Sequence, residues 1–177
     1  FIGIIQRESH AMSAIVEDLL VAARIDAGRV GVTIDDVDVG AVVADVLSGL
    51  PRTDDRISNE VPRGVMARGD EMRCRQVVRN LTSNALKYGG DRIEVVTRIE
   101  SDRAVIEVRD DGDGLPGESG DVFGRHRPNP SVSGSNGIGL SLARDLTLLM
   151  DGTIEFHRDD AWTVFSVSLP GLYRPSA

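Results

Sequence analysis

Apolar positions in the first 27 residues recur at helical spacing. Phe1, Ile5, Met12, Ile15, Leu19 and Ala22 follow alternating steps of three and four once Glu8 is taken as an interruption, which predicts a helix with a coiled-coil-like seam. Ile4, Ala11, Leu20 and Ala23 widen that stripe beyond what one partner helix would cover. "DAGRVG", Asp26 to Gly31, ends the pattern with two glycines, and shorter alternating runs follow. The boundary is therefore placed here, with a helix and linker at 1–30 and the main body at 31–177.

Within the main body the pattern predicts a short strand at Val32 to Ile34 and a helix from Asp38 to Leu50, stopped by Pro51. Two short strands flank Pro62. A long helix runs from Asp70, an N-cap residue, to Tyr88, with Val77, Val78, Leu81 and Ala85 on its core face and Gly89 and Gly90 ending it. "RIEVVTRIE" and "RAVIEVR" alternate with period two and form a hairpin about Ser101 and Asp102. After an irregular Gly/Pro/Ser/Asn-rich stretch from Asp111 to Asn136, a helix is expected from Gly137 to Met150. A second hairpin, turning at Asp159 and Asp160, closes the chain. Helices mixed with antiparallel pairs imply an α/β fold: a two-layer sandwich of one mixed sheet with helices on one face, preceded by one long helix.

Charge narrows the partners. Asp and Glu number 28 against 20 Lys and Arg, a formal net charge of -8, which disfavours a sequence-independent grip on nucleic acid or on an anionic membrane. Any polyanionic ligand must be held by local groups. The single cysteine, Cys74, forms no internal disulfide and suits a reducing compartment. With no apolar run of membrane-spanning length and no signal-peptide order, a cytoplasmic location is expected, any membrane anchor lying elsewhere in the full-length protein. The chain opens at Phe1 inside a helical pattern and reads as a fragment of something longer.

Three segments carry candidate chemistry. In "NLTSNALKY", Asn80, Asn84 and Lys87 share a helical face, with Tyr88 one position round. Carboxamide oxygens are hard ligands suited to magnesium beside phosphates, and a lysine neutralises phosphate charge. "DDGDGLPG" sets Asp110, Gly112 and Gly114 at a strand end, where a carboxylate accepts from an exocyclic amine and glycines admit a planar ring. In "GSNGIGLSLARDL", Gly137 and Gly139 stand where a helix start offers unpaired amides to an anion. Taken singly, each has a plain alternative: a solvated stripe, an ordinary turn, and tight helix packing.

Together, in this order, the segments resemble the ATP-binding domain of sensor histidine kinases, within the wider group of DNA gyrase, heat-shock protein 90 and MutL ATPases. "SAIVEDLLVAARIDAGRV" looks like the second helix of the dimerisation hairpin, "VVRNLTSNALKYGG" like the asparagine box, "VRDDGDGLPG" like the first glycine box and "NGIGLSLARDL" like the second. The resemblance implies ATP and Mg2+ as cofactors. Asn84 would bind the metal, with Asn80 on the same face, Lys87 on phosphate and Tyr88 beside adenine. Asp110 would take the adenine amino group, with Gly112 and Gly114 against the ring; Gly137, Gly139 and Leu140 would shape the phosphate end. Asp111 and Asp113 are expected to face solvent. Phe123 fits the family's phenylalanine box, and Arg125 and Arg127 of the lid would reach phosphates on closure.

Departures accompany the likeness. The second aromatic of the phenylalanine box is missing, and Ser135 and Asn136 replace the usual small residues before Gly137. No histidine has the family's acceptor context: His10 lies on the second hairpin helix, His126 in the lid and His157 in the last hairpin. The expectation is thus a catalytic part of a two-component histidine kinase that delivers the γ-phosphate to a histidine on a hairpin in cis or on a separate chain. A response regulator would act downstream, and the first helix would support a homodimer. The rival is a regulatory module that binds ATP or ADP without transfer. An ATPase or serine kinase is disfavoured because Gln76 stands four residues before Asn80, where an acidic base would be needed.

Overall fold

The computed structural model describes residues 2–50, 56–58, 61–114, 122–124, 138–159 and 161–172, with side chains from Met12 onward except Ala14. Helix α1 (Ile2–Asp26) ends where Gly28 takes a positive φ of 63°; its amide and that of Arg29 reach back to the carbonyls of Ile25 and Arg24. That left-handed residue closes the last turn at little cost because glycine lacks a Cβ. β1 (Asp35–Asp38), α2 (Val39–Ser48), β2 (Ile57–Ser58), β3 (Met66–Gly69) and α3 (Glu71–Tyr88) follow. The hairpin β4 (Ile93–Glu100) and β5 (Arg103–Asp110) precedes α4 (Gly139–Leu149), β6 (Thr153–Asp159) and β7 (Trp162–Pro170).

Five strands form a mixed sheet in the order β2-β4-β5-β7-β6, with β2 parallel to β4 and the other pairs antiparallel. The expected sandwich is correct, but the single sheet is not: β1 and β3 pair separately as a two-stranded ribbon. This ribbon meets the main sheet through a bridge between Ala67 and Gly171 at the end of β7. The first strand also begins later than the Val32–Ile34 pattern suggests. The amide of Thr33 donates to the Asp70 carboxylate at 2.9 Å, while Val32 and Ile34 pack against the core as a linker. Tertiary contact thus takes up backbone that the local pattern assigned to a strand.

Helices α2, α3 and α4 cover one face of the sheet. Period-two alternation sends Ile93 and Val95 of β4, Ala104, Ile106 and Val108 of β5, and Phe165, Val167 and Leu169 of β7 into one buried cluster. From α3 come Cys74, Val77, Val78, Leu81 and Ala85, the stripe read in the sequence. Burial, with Asp70 and Glu71 nearby, pushes the Cys74 thiol up to about 12, so it stays a neutral core residue against the Met150 sulfur at 3.7 Å. α1 lies against this body, burying Val21 and resting Ala22 and Ile25 on the core. Met12, Val16, Leu19 and Leu20 are left exposed.

Candidate functional site

The site is assembled where the C-terminal end of α3 meets the end of β5. Asp110 shares its alternation phase with Ala104, Ile106 and Val108, so the strand carries a carboxylate onto the face that elsewhere holds the core; it is only 5% exposed. Desolvation raises its pKa from the ordinary 3.8, and the neighbouring Asp111 adds to this, while the Gly112 amide, donating to Oδ1 at 3.1 Å, and the charge of Arg158 oppose it. A buried acid with one local backbone donor retains acceptor capacity for an amine.

Glycines wall this carboxylate for steric reasons. A Cβ on Gly89 would lie 2.8 Å from the Asp110 Cβ, and one on Gly112 would lie 2.9 Å from Oδ1 and 2.8 Å from the Tyr88 carbonyl oxygen. The backbone therefore approaches Asp110 more closely than any side chain would allow. Gly114, at a φ of 84°, needs its missing Cβ for the turn itself. Asp111 differs from expectation: its side chain accepts from the Arg92 amide at 2.7 Å and its own amide donates to the Arg92 carbonyl at 3.2 Å, extending the β4–β5 pairing by one residue. Asp113 is exposed as expected.

α3 presents the amide row. Its N-cap Asp70 accepts from the Arg73 amide at 3.1 Å, and the helix runs unbroken to Tyr88, where the Gly89 amide closes on Ala85 at 2.7 Å. Asn80 is 7% exposed and its Nδ2 donates to the Gly139 carbonyl oxygen at 3.3 Å, joining the asparagine helix to the start of α4. Asn84 and Tyr88 are half-buried and Lys87 is exposed. Leu140, in the first turn of α4, packs against the core cluster. Gly137, Arg125 and Arg127 lie outside the described residues. Phe123 is described, set edge-on to the buried Phe165 at 6.2 Å between ring centroids, which anchors the segment between the two glycine-rich stretches on the core.

The structure adds two residues that no local pattern singled out. Thr163 stands opposite Asp110 in the β5–β7 register and is 3% exposed, placing a hydroxyl beside the carboxylate. Arg158 donates to the Gly112 carbonyl oxygen at 3.2 Å, fixing the glycine turn to β6. Both arise from cross-strand pairing, which a single strand's alternation does not encode.

Among the described residues there is no group of three or more His, Cys, Asp or Glu that would hold a metal unaided. The half-buried Asn84 offers an amide oxygen, a hard donor of the kind magnesium accepts beside phosphate and water oxygens. The arrangement as a whole has a buried acceptor at one end of α3 and a helix start bonded to Asn80 further along, the two ends an elongated anionic ligand with a polar ring would need.

Known proteins share this fold. Residues 69–172 match the family model for the histidine kinase-, DNA gyrase B-, and HSP90-like ATPase. The signal transduction histidine-protein kinase AfsQ2 of Streptomyces coelicolor is 30% identical over 99% of this chain, and the sensor protein RstB of Escherichia coli 29% over 85%. The chain spans about a third of the length of these relatives, 34% and 36%. Among solved structures, the Acinetobacter baumannii histidine kinase AdeS superposes with a TM-score of 0.69 at 21% identity, covering 96% of this chain and 83% of that one. Full-length ShkA in complex with AMPPNP gives 0.73 at 21% identity, covering 96% of this chain and 38% of that one. The fold, the order of the asparagine and glycine segments and the family match together make this chain a member of the histidine kinase-, DNA gyrase B- and HSP90-like ATPase family, of the histidine kinase type.

Proposed function

We propose that this chain is the ATP-binding catalytic part of a two-component sensor histidine kinase, with one helix of its dimerisation hairpin attached at 1–30 and the catalytic domain at 31–177. The carrying observation is the buried Asp110 carboxylate, walled by Gly89 and Gly112 at the end of the asparagine helix. Its free acceptor positions bind the adenine amino group; Gly112 and Gly114 admit the ring, and Tyr88 lies beside it. Asn80, held on Gly139, fixes the spacing between α3 and α4, so that phosphates meet Asn84, Lys87 and the helix start at Gly139 and Leu140. Gly137, Arg125 and Arg127 are assigned to the phosphates by the sequence resemblance alone. Magnesium, when bound, neutralises phosphate charge and orients the terminal group. Phosphoryl transfer asks mainly for positioning and charge stabilisation, so this chain needs no general base of its own.

The acceptor histidine belongs to a hairpin in cis or on a separate polypeptide, with a response regulator downstream. The relative AfsQ2, named a signal transduction histidine-protein kinase, and RstB, named a sensor protein, support this reading. No helix among the described residues is long and apolar enough to cross a membrane; a cytoplasmic position for this part of an anchored sensor follows from the family reading. Titration calorimetry with ATP, with and without magnesium, on the parent and on Asp110→Asn tests the pocket. Magnesium-dependent binding lost in the variant is expected, followed by labelled phosphate on an added histidine hairpin. Binding without transfer would instead favour a regulatory nucleotide-binding module, and no binding in the parent would overturn both.

A further inference from the structure

The exit of α3 is held by a residue from the edge of the main sheet. Gly89 leaves the helix in extended backbone, with φ of -71° and ψ of 170°, and lacks the left-handed closure that commonly ends a helix. Its amide satisfies the Ala85 carbonyl, but the later carbonyls of the last turn have no helical amide beyond them. The guanidinium of Arg56, the residue before β2, takes that place. Its Nη2 donates to the Leu86 carbonyl oxygen at 3.4 Å and its Nη1 to that of Gly90 at 3.2 Å. A cation at this end of a helix also meets the negative end of the dipole.

What leaves the helix here is the wall of the carboxylate site. A Cβ on Gly90 would lie 2.5 Å from Asp111 Oδ1, as one on Gly89 would lie 2.8 Å from the Asp110 Cβ. The extended exit keeps both glycines along the acid-bearing end of β5. Arg56 grips the far side of the same connection through its main chain: its carbonyl oxygen accepts from the Ile93 amide at 2.8 Å, and Ile93 stands opposite Asp110 in the β4–β5 register. One residue thus holds both the glycine wall of Asp110 and its strand neighbour.

We infer that Arg56 is a positioning residue for base recognition: its guanidinium keeps the glycine wall closed on Asp110, so that the carboxylate meets the exocyclic amine in one fixed geometry. This rests on the nucleotide reading above. Arg56 acts through the carbonyls of Leu86 and Gly90. Without its donors the wall is free to recede, and the cost falls on the bond between amine and carboxylate. The phosphate end, spaced by Asn80 on Gly139, keeps its arrangement. A site built to hydrogen-bond one group of a ligand discriminates strongly against an analogue that lacks it. Inosine triphosphate (ITP) carries an oxygen where ATP carries the amine, so the ratio of the two affinities reports the base end alone.

Arg56→Met keeps the long stem and removes both donors, while Arg56→Lys restores one cationic donor. Calorimetric dissociation constants for Mg-ATP and Mg-ITP, with amide hydrogen exchange of the nucleotide-free protein, read the effect on the whole chain. Arg56→Met is expected to weaken ATP about ten-fold and ITP less than about two-fold, and Arg56→Lys to weaken ATP about three-fold. Before any nucleotide is added, the Gly89 and Gly112 amides should exchange faster in Arg56→Met. The inference is overturned if the ATP-to-ITP ratio keeps the parent's value, whether both affinities hold or fall together, or if those amides exchange as in the parent. Should Arg56→Met melt too low to titrate, the ratio in Arg56→Lys decides in the same way. A parent that binds ATP and ITP alike would instead overturn the assignment of Asp110 to the amine, a result distinct from discrimination that survives without Arg56.

Discussion

Asp110 and Glu107 sit three residues apart on β5 and answer burial in opposite ways. Desolvation acts on both, but Glu107 receives hydrogen bonds and charge from Arg98 and Arg109, which together hold its carboxyl below the ordinary 4.5. At Asp110 the Gly112 amide and the charge of Arg158 do not offset desolvation, and its pKa rises. The signs of their linkage therefore differ. Stability from Glu107 is present above pH 4.5 and is lost as pH falls through its lowered folded value. Burial of Asp110 is favourable only while it is protonated, and that contribution is lost as pH rises from 3.8 through its raised folded value. Asp110→Asn should consequently abolish ATP binding in calorimetry yet melt no lower than the parent at neutral pH. A variant that melted lower would show that the acid is retained for structure. Glu107→Gln should cost about 1–3 kcal/mol at pH 7 and flatten the acid limb of denaturant titrations. Asn84→Ala should bind ATP equally with and without magnesium; a preserved metal effect would place the ion elsewhere.

At the level of elements, α3 organises the molecule. Its inner stripe enters the core, its amide row faces the site, and its N-cap carboxylate ties down the linker as well as the first turn. Asp70→Ala should therefore cost about 1–2 kcal/mol in urea unfolding, near the upper end for a cap, because the Thr33 amide loses its acceptor too. The β5 turn is equally constrained. Gly112→Ala sets a Cβ 2.8 Å from a backbone oxygen and 2.9 Å from the Asp110 carboxylate, so the turn must shift. The expected result is a large loss of ATP affinity with helical circular dichroism retained; unchanged affinity would mean that Asp110 does not read the base.

Across the whole molecule, α1 has two unlike sides. One buries Val21 and engages Gln76 and Arg79, while the other exposes Met12, Val16, Leu19 and Leu20 at helical spacing. Such a contiguous apolar stripe suits a helical bundle formed with another helix or a second copy of this chain. Val16→Glu combined with Leu20→Glu should weaken self-association in sedimentation velocity while leaving ATP affinity unchanged. If the parent is monomeric at high concentration, the stripe serves a partner in cis.

The sequence alone determined α3 almost to the residue, because an apolar stripe, a capping aspartate and terminal glycines all act within one helix. It also determined both hairpins, whose period-two alternation is local, and it placed Asn80, Asn84 and Asp110 in recognisable segments. Only the tertiary structure decided that β1 and β3 form a separate ribbon, that Asp111 continues the hairpin pairing, and that Thr163 faces Asp110. The same holds for Arg56, which lies 34 residues from Gly90 along the chain. Helical and strand periodicities encode which face a residue takes, but not which distant face it meets; that choice is made by packing, where burial, sterics and charge are satisfied together.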